Sequence, residues 1–386
     1  MPRAPIQPTP TPIAPPPVGR SGDADPFLIA LVMTVIVWGV VMVYSASHFY
    51  ALRKYGDGQH FLVRQAVFAV LGCGWMLLVS RIDYRRHRGY AKPALLLCTG
   101  LLLATVLGIC APRINGSRRW LVVGPLRMQP SEATKLVLIV WLAHSLAGKV
   151  GRMRELAFGV LPHALVASVL AALCVGQKDF GSGSMMIALT GVLLYVAGAR
   201  ARDLLKCAVI ALPVSVALVL TNATRMMRIV SAYFDDKPSY QVEHSLAAFA
   251  SGRFFGVGLG NSAEKIRLPE AHTDFIAAII AEEHGLIGLA TLVLACCAIV
   301  QRCQRAARRA PDDFGLYLGT GLAAFLALQF LVNLGMVVGL LPPKGIALPF
   351  VSYGGSSMMV NCTVIGLALS ISRAGNGGVR RLRPAA

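Results

Sequence analysis

Apolar runs alternate with short basic connectors along most of the chain. Ten runs, at approximately 27–47, 62–80, 93–111, 134–148, 157–175, 183–199, 205–221, 274–300, 313–341 and 355–373, read as membrane-spanning segments. Backbone groups in lipid must be satisfied within the segment, so each run is expected to be helical. The predicted fold is an all-α polytopic membrane protein of about ten transmembrane helices, one domain over 27–373. Residues 1–26, MPRAPIQPTPTPIAPPPVGRSGDADP, are proline-rich and lack large apolar groups, and are expected to be disordered. Ser45-Ala46-Ser47 at the end of the first run has the small residues of a signal-cleavage site. Asp23 and Asp25 are wrong for a basic n-region, however, and a retained anchor is expected.

Charge orients this bundle. With the N-terminus in the cytoplasm, Arg81, Arg85, Arg86, Arg88 and Lys92 lie inside. So do Lys149, Arg152 and Arg154, then Arg200, Arg202 and Lys206, then Arg302, Arg305, Arg308 and Arg309. The basic tail 374–386 is also inside, so both termini are cytoplasmic, as the positive-inside bias requires. A large extracytoplasmic loop, 222–273, then separates helices seven and eight. The composition agrees: 55% hydrophobic, 14% charged and a mean hydropathy of +0.62. A net charge of +19 raises the question of nucleic acid, but no basic face, zinc pattern or aromatic platform accompanies it, and that class is set aside. The nine cysteines have neither metal-ligand spacing nor a disulfide framework and read as small buried hydrophobes.

The exceptions to the bias carry the chemistry. Arg113, Arg118, Arg119 and Arg127 fall in the outer loop 112–133, and Arg225, Arg228, Lys237, Arg253, Lys265 and Arg267 in the loop 222–273. Loop solvation and ion pairs with Asp235, Asp236, Glu243 and Glu264 explain any one of them. As a set on the translocated side they suit an anionic ligand, because guanidinium forks match phosphates. The same face presents LPEAHTDFIAAIIAEEHGLIG, in which Asp274 stands at the mouth of an apolar run. Glu282 and Glu283 follow, roughly 12 Å deeper on a helix. Ionisable groups at such depth mark function or a polar network inside the bundle. A packed network is the favoured reading, since a base must reach an outer hydroxyl. Thr273 or Asp274 can also cap the following helix, as Ser131 and Glu132 can cap the fourth.

Four stretches on the outer side, NGSRRWLVVGPLRMQPSEATK (115–135), GQKDFGSGS (176–184), SLAAFASGRFFGVGLGNSAEKIRLPEAHTDF (245–275) and LPPKGIALPFVSYGGSS (341–357), occur in an order that resembles the SEDS family of bacterial cell-wall polymerases, which holds FtsW, RodA and SpoVE. The resemblance runs from about Val43 to Ser357. It implies glycosyl transfer on lipid II, the undecaprenyl-pyrophosphate disaccharide-peptide, at the outer surface of the cytoplasmic (inner) membrane. The chemistry fits independently: a sugar hydroxyl attacking an anomeric carbon calls for a carboxylate base, and a pyrophosphate leaving group calls for nearby cations. Asp274 matches the family's essential acid and is the expected base. Arg118, Arg119, Arg253, Lys265, Lys344, His272 and Ser356 are the candidates for substrate contact, Arg118 or Arg119 matching an RW-type motif.

Asp179 matches the acid of a QPDLGT-like motif, with Lys178 and Phe180 replacing the usual proline and leucine, and Lys135 is its expected ion-pair partner. Gly256, Gly258 and Gly260, with Gly354 and Gly355, would let backbone approach a ligand or turn tightly. A metal-assisted displacement, with Mg or Mn, and a purely cation-assisted one both remain open. The implied partners are a class B penicillin-binding transpeptidase, for which helices eight and nine offer an apolar docking face, and other division membrane proteins. Lys344 in LPPKG and the proline-rich tail favour the division branch of the family over the elongation branch. A flippase for lipid II is the competing reading, and a transpeptidase scaffold a third. Against the flippase, the polar motifs gather on one face rather than at mid-membrane.

Overall fold

In a computed structural model the chain is described at residues 22–113, 117–124, 126–149, 151–207, 209 and 239–377. The proline-rich segment up to residue 21, most of the run 205–221 and the loop residues 222–238 lie outside the described residues, as does the tail beyond 377.

Asp25 starts the first helix, α1 (Pro26–Tyr55), its side chain accepting from the Leu28 N–H at 3.2 Å. Gly56 ends it in the left-handed region at φ 72°. There follow α2 (His60–Arg81), a 3₁₀ turn at Tyr84–Arg86 and α3 (His87–Leu107). Then come α4 (Pro130–Ala147), a π-turn at Leu156–Val160, α5 (Leu161–Gly176) and α6 (Phe180–Val196). Beyond the gap stand α7 (Tyr240–Gly252), the single turn α8 (Glu264–Arg267), α9 (Ile276–Arg308), α10 (Asp313–Val337) and α11 (Gly355–Gly377). Seven helices among the described residues are long and apolar enough to cross a membrane: α1, α2, α3, the α5 segment, α9, α10 and α11. The expected spans at 134–148 and 183–199 correspond to α4 and to the shorter apolar α6.

Helix α10 packs against both α9 and α4, while α11 lies along α2 and α1 bridges α2 and α9. Most of the buried apolar surface is therefore shared among α1, α4, α9, α10 and α11. Among the described residues the all-α expectation has one exception. In the loop before α4, β1 (Leu121–Val123) and β2 (Leu126–Met128) form an antiparallel hairpin with Leu121 opposite Met128. Three-residue strands leave no periodicity long enough to detect. The cysteine reading needs correction too: Cys98, Cys174, Cys296, Cys303 and Cys362 are buried, but Cys110 and Cys297 are exposed.

Candidate active site

All four outer segments meet at one end of the bundle. Arg119 donates from Nη2 to the Lys178 carbonyl at 2.5 Å, joining the first segment to the second. Gln129 donates to the Asp179 carboxylate at 3.1 Å, and its backbone N–H reaches the Ser356 hydroxyl at 3.4 Å, joining the first to the second and fourth. The fourth joins the third where Ser352 Oγ donates to the Thr273 carbonyl at 2.5 Å and the Tyr353 N–H to the His272 carbonyl at 2.9 Å. On α2, the fully buried Gln65 donates to the Ser352 carbonyl and accepts from the Gly354 N–H, holding this loop from below.

Asp274 lies at the centre, just before α9. Its carbonyl accepts from Asn333 Nδ2 at 2.9 Å, but among the described residues its carboxylate receives no hydrogen bond. The helix-capping role open to Asp274 is not taken up: Phe275 is the N-cap and no side chain caps it. Thr273 turns back to Glu270 instead. Exposed Gly345 stands between Asp274 and Arg119. A β-carbon there would lie 3.4 Å from Asp274 Oδ2 and 3.8 Å from Arg119 Nη1. Burial raises the Asp274 carboxyl to about 7, Glu270 pushes the same way, and the Arg119 guanidinium offsets part of the rise. An acid near neutrality, unbonded and beside a guanidinium, can take a proton at the pH where it works.

The other candidates separate. Arg118 lies over Gly108 at the C-terminal end of α3, where a β-carbon would come within 2.7 Å of its Cζ, so it covers a helix end while Arg119 faces the carboxylate. Lys344 is half-buried beside Gly345, and burial lowers its ammonium below the ordinary value. His272 is packed among Tyr50, Phe61 and Tyr353 at ring separations of 4.5–5.7 Å. Burial lowers it to about 4, so it offers a neutral ring and no charge near pH 7. Ser356 donates to the Arg127 carbonyl at 3.3 Å, tying the hairpin to α11.

The expected Lys135–Asp179 ion pair is not what forms. Lys135 pairs with Glu132 at 2.8 Å, one turn away on α4, and lies under the Phe325 ring. Asp179 caps α6 through the Ser182 N–H at 3.1 Å and takes Ser131 Oγ at 2.9 Å. Ser131 thus bonds across to Asp179 and Glu132 along its own helix rather than capping α4, whose N-cap Gln129 makes no capping bond. Neutral donors suffice for Asp179, and the lysine takes the nearer acid.

Lys265 belongs to a second cluster, deeper in the bundle, and Arg253 stands apart from both. Lys265 Nζ donates to the Gly260 carbonyl at 2.5 Å and lies 3.6 Å from Glu283, which also takes the Ser45 hydroxyl at 2.6 Å. Glu282 accepts from the Ser262 hydroxyl and from the Ala263 N–H at 3.0 Å. Arg253 ends α7 at a φ of 46° with its side chain exposed, away from Asp274's loop. Gly256 approaches α9, not a ligand: a β-carbon would stand 2.2 Å from the Glu283 carbonyl oxygen. Among the described residues no group of three His, Cys, Asp or Glu side chains could hold a metal.

Asn333 was invisible to pattern reading, because one amide in an apolar run reads as an interruption. Fully buried on α10, it spans the carbonyls of Asp274 and Ile346 at 2.9 and 2.8 Å, fixing the Asp274 loop against the Gly345 loop. Asn333→Leu should cost on the order of 2 kcal/mol by stranding two carbonyls. The measurement is the thermal unfolding midpoint in detergent; an unchanged midpoint would show that Asn333 does not hold the loops.

A family model described as "Cell cycle protein", FTSW_RODA_SPOVE, matches residues 26–376. A Trichlorobacter lovleyi protein named "Probable peptidoglycan glycosyltransferase FtsW" is 39% identical over 359 residues, covering 92% of this chain and 94% of that one. Stage V sporulation protein E of Bacillus subtilis is 36% identical, covering 92% and 98%. Among solved structures, Thermus thermophilus rod shape determining protein RodA superimposes with a TM-score of 0.67 at 29% identity, over 91% of this chain and 97% of that one. A chain from the structure titled "Structural coordination of polymerization and crosslinking by a peptidoglycan synthase complex" gives 0.76 at 27%, over 91% and 98%.

Proposed function

The chain belongs to the cell cycle protein family of FtsW, RodA and SpoVE, and on that premise we propose that it is a multi-pass membrane peptidoglycan glycosyltransferase of bacterial cell division. It polymerises lipid II on the outer face of the cytoplasmic membrane at the division septum, with both termini inside. The observation that carries the reading is the unbonded Asp274 carboxylate, raised to about 7, across the exposed Gly345 from Arg119.

Asp274 takes the proton of the acceptor sugar hydroxyl as its oxygen attacks the donor's anomeric carbon. The bond from that carbon to the pyrophosphate breaks, and the electron pair leaves on undecaprenyl pyrophosphate. Attack opposite an α-linked leaving group gives a β-1,4 bond. Arg119, with Lys344 beside Gly345, faces the developing pyrophosphate charge, where fixed cations act without reorganising. Arg119→Gln should lower the rate by about 10²–10³-fold, as loss of one such donor does.

The partner is a single-pass class B transpeptidase. A cavity of about 720 Å³ between α9 and α10, walled by Val293, Cys297, Ala327 and Leu331 with Arg305 and Arg308 at one end, suits its membrane helix. The test gives the purified full chain, with and without that partner, labelled lipid II and resolves glycan length. A polymer ladder is expected. Lipid II crossing the vesicle membrane with no polymer would overturn the reading in favour of a flippase.

A further inference from the structure

Helix α9 is broken inside its span. At Gly285 the backbone turns to φ 67°, ψ −165°, which frees the Glu282 and Glu283 carbonyls and the Leu286 and Ile287 N–H groups from the helical ladder. The chain after α7 fills the break. Val257 and Gly258 donate to the Glu282 and Glu283 carbonyls at 2.9 and 3.0 Å, and Leu286 and Ile287 donate to the Arg253 and Phe254 carbonyls at 2.8 and 3.3 Å. These bonds lie roughly 9–17 Å along α9 from Ile276, at 1.5 Å per residue. Helix α1 gives the same level independently: Ser45 meets Glu283 and Trp38 faces His284, whereas Tyr50, further along α1, meets His272.

The composition of the segment suits hydrocarbon. Its ten residues 254–263, FFGVGLGNSA, carry no charge. Three of its other carbonyls are taken from within: Asn261 serves those of Val257 and Gly258 at 3.1 and 3.2 Å, and Lys265 serves that of Gly260. Bonds of this kind are what irregular backbone needs at membrane depth. Yet Phe254, Phe255 and Leu259 are 65%, 83% and 55% exposed, continuous with exposed Leu286 and Ile287 on α9. A water-facing loop would need neither the backbone bonding nor the aromatic tip.

We propose that residues 254–259 are a re-entrant membrane segment, whose Phe254, Phe255 and Leu259 side chains lie in the acyl chains of the leaflet on the Asp274 side. The occupant of this surface is bilayer hydrocarbon.

The test reconstitutes the full chain with Phe255→Trp in phosphatidylcholine vesicles, with and without bromine on the acyl chains, and subtracts the native emission. Asp57→Trp, in the exposed α1–α2 turn, is the aqueous control. The emission added at 255 should be blue-shifted relative to that at 57, lost in the brominated lipid and insensitive to iodide. Emission at 255 that iodide quenches and bromolipid does not would overturn the proposal. Glycan polymerisation is not read, so the outcome is independent of the catalytic assignment.

Discussion

Asp274→Asn should abolish glycan polymerisation, by about 10²–10⁴-fold, while leaving the folded protein at least as stable as the native chain at pH 8. The two halves have separate causes. Rate is lost because an amide cannot accept the hydroxyl proton. Stability is kept because the carboxylate makes no hydrogen bond to lose, and because the Asn333 contact is to the residue 274 carbonyl, which the substitution retains. Linkage gives the sign: a carboxyl raised from its ordinary value to about 7 in the fold disfavours folding once ionised, and a neutral amide removes that penalty above pH 7. Unchanged polymer would sink the base assignment. Polymer lost together with a large fall in the unfolding midpoint would show that Asp274 holds the fold instead.

The same carboxyl sets the pH dependence. Only its ionised form is a base, so kcat/KM should rise through about pH 7 and level off above it, falling roughly tenfold per unit on the acid side. Its neighbours predict how the midpoint moves. Glu270→Gln removes a charge that raises it, and the profile should shift to lower pH. Arg119→Gln removes a charge that lowers it, and the residual activity should shift to higher pH. A structural role for either residue would lower the rate without moving the midpoint.

The helices and the position of Asp274 were legible because each depends on local sequence. Apolar length is local, and so is the placing of Asp274 at the mouth of a run. The pairings were less legible because they join residues far apart. Ser45 and Glu283 are 238 positions apart, and Tyr84 and Asp312 are 228 apart; no periodicity connects them. Lys135 was assigned to Asp179 on the need of a buried acid for a partner, but Ser131, Gln129 and the Ser182 N–H meet that need without charge. The sequence places Lys265 in an outer loop, among the candidates for substrate contact. The break at Gly285 instead draws its loop inward to Glu283. One glycine in an apolar helix is a weak signal by itself, and its meaning lies in what packs against it.

That packing makes the second large effect a comparison of two glycines. Gly256 and Gly260 share a left-handed backbone, at φ 81° and 83°, so alanine pays the same local strain at either, about 1 kcal/mol. Their surroundings differ. A β-carbon at Gly260 meets nothing within 4 Å, while at Gly256 it would stand 2.2 Å from the Glu283 carbonyl oxygen and 2.7 Å from the Gly285 N. Both are backbone atoms that cannot rotate away. Gly256→Ala must therefore lift the segment off α9, breaking the Val257 and Gly258 bonds and stranding carbonyls at a depth where water cannot replace them. It should cost about 3 kcal/mol or more beyond Gly260→Ala, enough to empty the membrane of folded protein. Thermal unfolding of the two variants, read beside the native chain, decides it. Equal midpoints would show that the segment does not bear on α9 as drawn, and that the break at Gly285 is satisfied in some other way.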